Sequence, residues 1–235
     1  MPDFVTIDAR FRGPQESANG GYACAMAARG LDGPAEVTLR APPPLGRPLA
    51  VRHGPDQVSL LDGEAVIATA VPTTVTLDVP APVSFADAQR AAAHYPWRDD
   101  HPYPTCFVCG PDREHGDALC IFPGPVAGRE LYAADWTPDA SLADGSGRVR
   151  DEFVWAALDC PSGIVTDLLG DVGLILLGRL AADLRAPVRA GAPHVVQAWP
   201  LERNGRKLHT ASAVFDAEGG LCGVARAVWI EVQAR

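Results

Sequence analysis

The tetrapeptide Leu39-Arg40-Ala41-Pro42 recurs as Leu184-Arg185-Ala186-Pro187, and at the same spacing Gly46, Pro48 and Val51 return as Gly191, Pro193 and Val196. Agreement at one offset over so many positions requires a chain built from two copies of one plan. The first copy reads as an alternating strand over Phe4–Phe11, closed by Gly13-Pro14, and then a helix from Asn19 to Gly30 with Asn19 as N-cap and Gly30 as stop. Strand patterns follow at Ala35–Arg40, Leu49–His53, Val58–Leu61 and Ala65–Leu77, with a hairpin turn at Asp62-Gly63. The second copy offers a strand at Glu130–Trp136, a helix at Glu152–Cys160, and long alternating strands at His194–Leu201, Arg206–Phe215 and Leu221–Val232. The last three are joined at Asn204-Gly205 and Gly219-Gly220.

One helix per half is too little to cover an antiparallel sheet unless the sheet curls around it, which describes the hot-dog fold. The expected class is therefore α+β, a double hot-dog, with an N-terminal unit over residues 1–83, a linker over 84–117 and a C-terminal unit over 118–235. Joining the two sheets edge to edge removes the exposed edges that each unit alone would carry.

The helix of the second half, within Val149–Gly163, carries one acid on an apolar body. Phe153, Val154, Ala156, Ala157, Leu158 and Cys160 leave it almost no solvated face, so Asp159 is carried inside the protein. Asp151 can cap the start of this helix. Pro161 predicts a bend or stop just after Asp159. Two roles for Asp159 remain open on this segment: a cap on a second helical piece beginning at Pro161, or a general base.

A formal net charge of −9 argues against nucleic acid or an anionic membrane as the main partner. With 47% hydrophobic and 21% charged residues the composition is that of an ordinary globular protein. No apolar run reaches the ~20 residues that span a bilayer. The N-terminal MPDFVTIDARF lacks a signal-peptide layout, so the expected location is cytoplasmic. Six cysteines in a chain of this size are expected as reduced thiols.

The linker differs from both halves. Phe85–His94 predicts a short helix, after which Pro96, Pro102 and Pro104 break the chain. Cys106 and Cys109 then form a CxxC, with Cys120 beyond and His101 and His115 flanking. Zinc held by Cys106, Cys109 and Cys120 is one reading. The second CxxC or Cys-His pair of strong zinc motifs is missing, however, so packing thiols and no metal are expected.

The stretches Ser17–Ala27 (SANGGYACAMA), His101–Gly110 (HPYPTCFVCG), Val154–Gly163 (VWAALDCPSG) and Gly205–Asp216 (GRKLHTASAVFD) resemble the actinobacterial thioesterase-like double hot-dog group, over most of the chain. The resemblance implies an acyl-CoA thioesterase without a cofactor, acting on a small-molecule acyl thioester. In such proteins the thioester carbonyl meets backbone N–H groups at the start of a buried helix, where free amides and the helix dipole stabilise an oxyanion. Carried onto this sequence, Gly20, Gly21 and Tyr22 would receive the carbonyl and Asp159 would activate water. Asn19 would orient water or carbonyl, or act only as N-cap. The first helix has no acid between Gly20 and Gly30, so a single working site is expected.

Arg206 and Lys207 are candidates for coenzyme A phosphates, although cations beside an Asn-Gly turn are ordinarily just solvated. A non-catalytic acyl-CoA or fatty-acyl binding protein is the alternative, and a dehydratase or hydratase would want a His-Asp pair that the sequence does not display. No GxSxG elbow or dinucleotide glycine motif is present. Self-association into a homo-oligomer stays open.

Overall fold

The fold is that of a computed structural model describing residues 3–232. The first half comprises β1 (Asp3–Thr6), α1 (Gly20–Ala28), β2 (Ala35–Leu39), β3 (Pro48–His53), β4 (Val58–Asp62) and β5 (Ala65–Pro72). The helix α2 (Phe85–Ala92) lies in the crossover. The second half comprises β6 (Gly124–Pro125), β7 (Tyr132–Trp136), α3 (Asp151–Ile164), β8 (Ile175–Leu184), β9 (His194–Asn204), β10 (Lys207–Asp216) and β11 (Leu221–Glu231). Among the described residues all eleven strands belong to one antiparallel sheet ordered β1-β3-β4-β5-β2-β8-β11-β10-β9-β7-β6. Curled around α1 and α3, it is an α+β double hot-dog.

The two halves meet where β2 pairs with β8, in the register Ala35↔Ala182, Glu36↔Ala181 and Val37↔Leu180. In the repeat Leu39 corresponds to Leu184, so Ala35 corresponds to Leu180 and Val37 to Ala182. The junction is therefore symmetric about the Glu36–Ala181 pair, and the repeat visible in the sequence marks the pseudo-dyad. No polar edge is left at this seam, because each strand's outward N–H and C=O groups are taken by the other.

Both central helices are buried nearly all round rather than on one face. Helix α1, GGYACAMAA, is made of small residues that let it lie deep against β2, β4 and β5. Asn19 caps it, its Oδ1 accepting from the Tyr22 N–H at 2.9 Å. Helices α1 and α3 cross in contact at Gly21, where a Cβ would stand 2.5 Å from both the Asp159 Cβ and the Trp155 carbonyl oxygen.

Helix α3 corrects two expectations. Its N-cap is Arg150, without a side-chain cap bond, and Asp151 is its first residue, paired instead with Arg148. Pro161 does not end the helix, which runs on to Ile164. Proline removes the amide that would bond to the Ala157 carbonyl. The next two carbonyls receive hydroxyls: Ser212 Oγ of β10 donates to the Leu158 oxygen and Ser162 Oγ to the Asp159 oxygen, both at 2.6 Å. Asp159 therefore caps no second helical piece. Ser212→Ala is expected to lower stability by about 1–2 kcal/mol, read by urea denaturation, since it strips a hydroxyl donor from a buried carbonyl.

Other bounds differ locally. β1 stops at Thr6, and Asp8 then caps a 3-10 turn over Ala9–Phe11, which brings the Phe11 ring onto Tyr22. β5 stops at Pro72 because its partner β2 begins at Ala35. The segment 73–83 and α2 cover the outer face of the second half's sheet, where Val75, Val83, Ala88 and Ala91 pack with Trp199 and Phe215. Buried Gln197 holds this cover, accepting from the Val83 N–H and donating to the Pro80 carbonyl.

Candidate functional site

A cavity of about 510 Å³ opens where the start of α1, the distal part of α3, the crossover and β8 converge. Its walls are largely apolar, with Leu39, Trp97, Leu176, Leu177, Trp229 and Ile230 among them. Polar groups gather at one end: Asn19, Gly20, His101, Asp159, and the thiols of Cys106, Cys109 and Cys160. That composition, an apolar hollow with a few convergent polar groups, is the ordinary form of a small-molecule site.

Asp159 is only 2% exposed. Its Oδ2 accepts from the Gly21 N–H at 2.8 Å and from Asn19 Nδ2 at 2.9 Å, whereas its Oδ1 has no partner among the described residues. Burial raises its pKa to about 7, against the opposing pull of the Gly21 and Asn19 donors. The carboxylate thus caps the other half's helix, a role that neither sequence reading contained. The antiparallel crossing of α1 and α3 brings it there.

The structure therefore divides the predicted residues. Asn19, Gly20 and Asp159 share the cavity wall. The Gly21 amide is spent on Asp159 and the Tyr22 amide on Asn19, so neither is free for a ligand carbonyl. The Tyr22 ring stacks on Phe11 at 4.4 Å between centroids and faces Phe107 and Phe153, away from the cavity walls. The Gly20 N–H, by contrast, has no partner among the described residues and belongs to a residue on the cavity wall. A Cβ at Gly20 would come within 2.7 Å of Leu177 Cδ2, so glycine keeps this approach open.

Arg206 and Lys207 are exposed at the β9–β10 turn and do not line the cavity; Arg206 instead donates to the Glu231 carbonyl. Arg113 is tied into the crossover by Asp117 and the carbonyls of Thr105 and Arg10.

The pseudo-symmetric position, where α3 begins beside the distal part of α1, holds a different hollow of about 520 Å³ lined by Arg29, Arg148, Arg150, Asp151 and Glu152. The ninth residue of α3 is Asp159; the ninth of α1 is Ala28. The second half-site thus lacks the carboxylate.

The linker cysteines assemble differently from expectation. Cys120 lies apart, its thiol directed at the Arg113 carbonyl. Cys160 of α3 joins Cys106 and Cys109 instead, all three buried, with their sulfurs within 4.8 Å of one another. Bonds from the Cys109 and Cys160 thiols hold the Cys106 thiol well below its ordinary range. The sequence did carry the signal, a cysteine beside the buried acid, but 51 positions separate Cys109 from Cys160.

No protein-family model and no curated protein matches this chain. Solved structures do. A proposed thioesterase from Novosphingobium aromaticivorans aligns over 98% of this chain and 95% of its own at a TM-score of 0.64 and 11% identity. A proposed thioesterase II from Thermobifida fusca aligns over 98% and 92% at 0.62 and 15% identity. The tesB protein of Mycobacterium avium subs paratuberculosis covers the same shares at 0.62 and 10% identity. The chain has the double hot-dog fold of these proteins. At such identities the likeness concerns fold, and the chemistry must be argued from the site.

Proposed function

We propose that the protein hydrolyses an acyl thioester, with an acyl-CoA as the leading substrate class. The observation that carries this reading is that Asp159, one carboxylate oxygen of which has no partner among the described residues, shares a cavity wall with Gly20, whose partnerless N–H stands at the start of α1. The acyl chain lies along the apolar walls, and the thioester carbonyl oxygen accepts the Gly20 N–H. Water at the Asp159 end of the cavity loses a proton to the carboxylate as its oxygen bonds to the carbonyl carbon. Negative charge then develops on the carbonyl oxygen at the positive end of α1, where the amide and the dipole are already oriented. Collapse breaks the C–S bond, and the proton held by Asp159 passes to the departing thiolate. Asn19 keeps the carboxylate in place through its Nδ2 donor to Oδ2. The names of the fold's solved relatives support the same reaction class.

A dehydratase reading finds His101 on the same wall, but both ring nitrogens are engaged, Nε2 with Cys109 Sγ and Nδ1 with the Tyr103 N–H. The test is a panel of acyl-CoAs of graded chain length, with released coenzyme A measured by chromatography, because the free cysteines of the protein would consume a thiol reagent. Release of coenzyme A together with a rise in melting temperature is expected for the best-fitting chain. Stabilisation without release on every ester would replace hydrolysis by acyl binding.

A further inference from the structure

We infer that Cys106, Cys109 and Cys160 form a binding site for a borderline-soft divalent cation, zinc by its chemistry, set in the cavity wall. The Sγ atoms of Cys106 and Cys160 are 3.7 Å apart. A tetrahedral ion with Zn–S bonds of ~2.3 Å separates its sulfurs by roughly 3.8 Å; the Cys106–Cys160 pair already stands at that spacing, and Cys109 completes a triad whose sulfurs all lie within 4.8 Å of one another.

Buried thiols that merely pack need no donors aimed at them; thiolates do. Here the donors are present. Asn19 Nδ2 approaches the Cys160 sulfur at 3.5 Å and His101 Nε2 the Cys109 sulfur at 3.3 Å. The loop that makes this possible is a tight CxxCG turn. Gly110 N–H donates to the Cys106 carbonyl at 3.0 Å, and a Cβ on Gly110 would lie 2.4 Å from the Pro104 oxygen and 2.5 Å from the Cys106 nitrogen. Only glycine allows the chain to fold back so closely at this turn. The third sulfur comes from α3, far away in sequence, which supplies the partner that the CxxC lacks locally.

His101 acts as an outer donor and leaves the fourth position open. Its Nδ1 accepts from the Tyr103 N–H at 2.8 Å, so Nε2 carries the ring proton and gives it to the Cys109 sulfur as a hydrogen bond. His101 and the three cysteines all line the cavity, so the fourth position faces the hollow that holds Asp159. Three protein ligands and one open position is the coordination of an accessible zinc ion rather than of a closed structural one. The ion also ties the proline-rich crossover to α3 at the residue next to Asp159.

The test begins with protein expressed in zinc-supplemented medium and purified under reducing conditions. About one zinc per chain is expected by elemental analysis, and X-ray absorption at the zinc edge should count three sulfur neighbours in the unmodified chain. Replacement by cobalt(II) should give thiolate charge-transfer absorption and the strong visible bands of a four-coordinate ion. Loss of an outer-shell donor costs 10–100-fold in metal affinity, so Cys160→Ser, which removes a ligand, should weaken cobalt binding by on the order of a hundredfold or more. Cys120→Ser should leave it unchanged. Folded, reduced protein that takes up neither zinc nor cobalt would overturn the proposal. So would a sulfur count below three, or cobalt binding indifferent to Cys160→Ser. The zinc-edge measurement needs no variant, so a Cys160→Ser chain that fails to fold leaves the question decidable.

Discussion

Asp159→Asn is expected to fold normally and to lose thioester turnover by on the order of a hundredfold or more. The amide oxygen of the new side chain can still accept from the Gly21 N–H and Asn19 Nδ2, the two bonds that Oδ2 makes. What changes is the other end. An NH2 group replaces the partnerless Oδ1, and an amide cannot take a proton from water. Melting temperature and kcat together read the result. A pure capping role for Asp159 predicts the reverse, full activity in Asp159→Asn. Asp159→Ala leaves two buried donors without an acceptor, so it should cost about 1–3 kcal/mol whichever role is correct. Turnover retained in Asp159→Asn would end the catalytic assignment and move the acyl-binding reading ahead.

Gly21→Ala should destabilise the protein by about 3 kcal/mol, near the upper end of ordinary overpacking, because the atoms its methyl would meet cannot move independently. The Trp155 carbonyl oxygen at 2.5 Å and the Ala156 Cα at 3.0 Å are α3 backbone, and the Asp159 Cβ at 2.5 Å is fixed to the same helix. Relief requires the two helices to part. That motion pulls Asp159 away from Gly20, so activity should fall further than stability alone accounts for; a displacement of 1 Å at a reacting group can cost about a hundredfold. Chemical denaturation and kcat measured well below the melting temperature separate the two losses. A Gly21→Ala chain as stable as the parent would mean that the helices do not touch here.

Much of the architecture could be read from residues. The Asn19 cap, the hairpin turns and the strands β9, β10 and β11 are local chemistry, and the Leu39-Arg40-Ala41-Pro42 repeat announced two copies of one plan, although β8, which makes half of the seam, was not among the predicted strands. Failures came where a distant partner outweighs local preference. Pro161 ought to end a helix, yet Ser212, half a hundred positions onward, supplies a hydroxyl to a neighbouring carbonyl. The candidate site was half legible for the same reason. Asp159 was conspicuous as a lone acid in an apolar helix, and its proximity to the start of α1 followed from antiparallel helices. Which amide remains free did not follow, since only the fold reveals that Asp159 occupies Gly21 and Asn19 occupies Tyr22, leaving Gly20. Cys160 stood beside the buried acid in the sequence, but nothing local joined it to the CxxC until α3 was laid against the crossover.

The seam between β2 and β8 carries a genetic consequence. In a dimer of identical hot-dog chains each substitution is imposed twice, so any change that suits one half-site is inflicted on its twin. Covalent tandem linkage breaks that bond. Here Ala28 and Asp159 occupy matching places, and Arg150 stands where the other helix has Asn19. Relieved of keeping a carboxylate, the charged hollow at the start of α3 is free to drift under whatever selection acts on it, while the apolar one opposite retains its single buried acid.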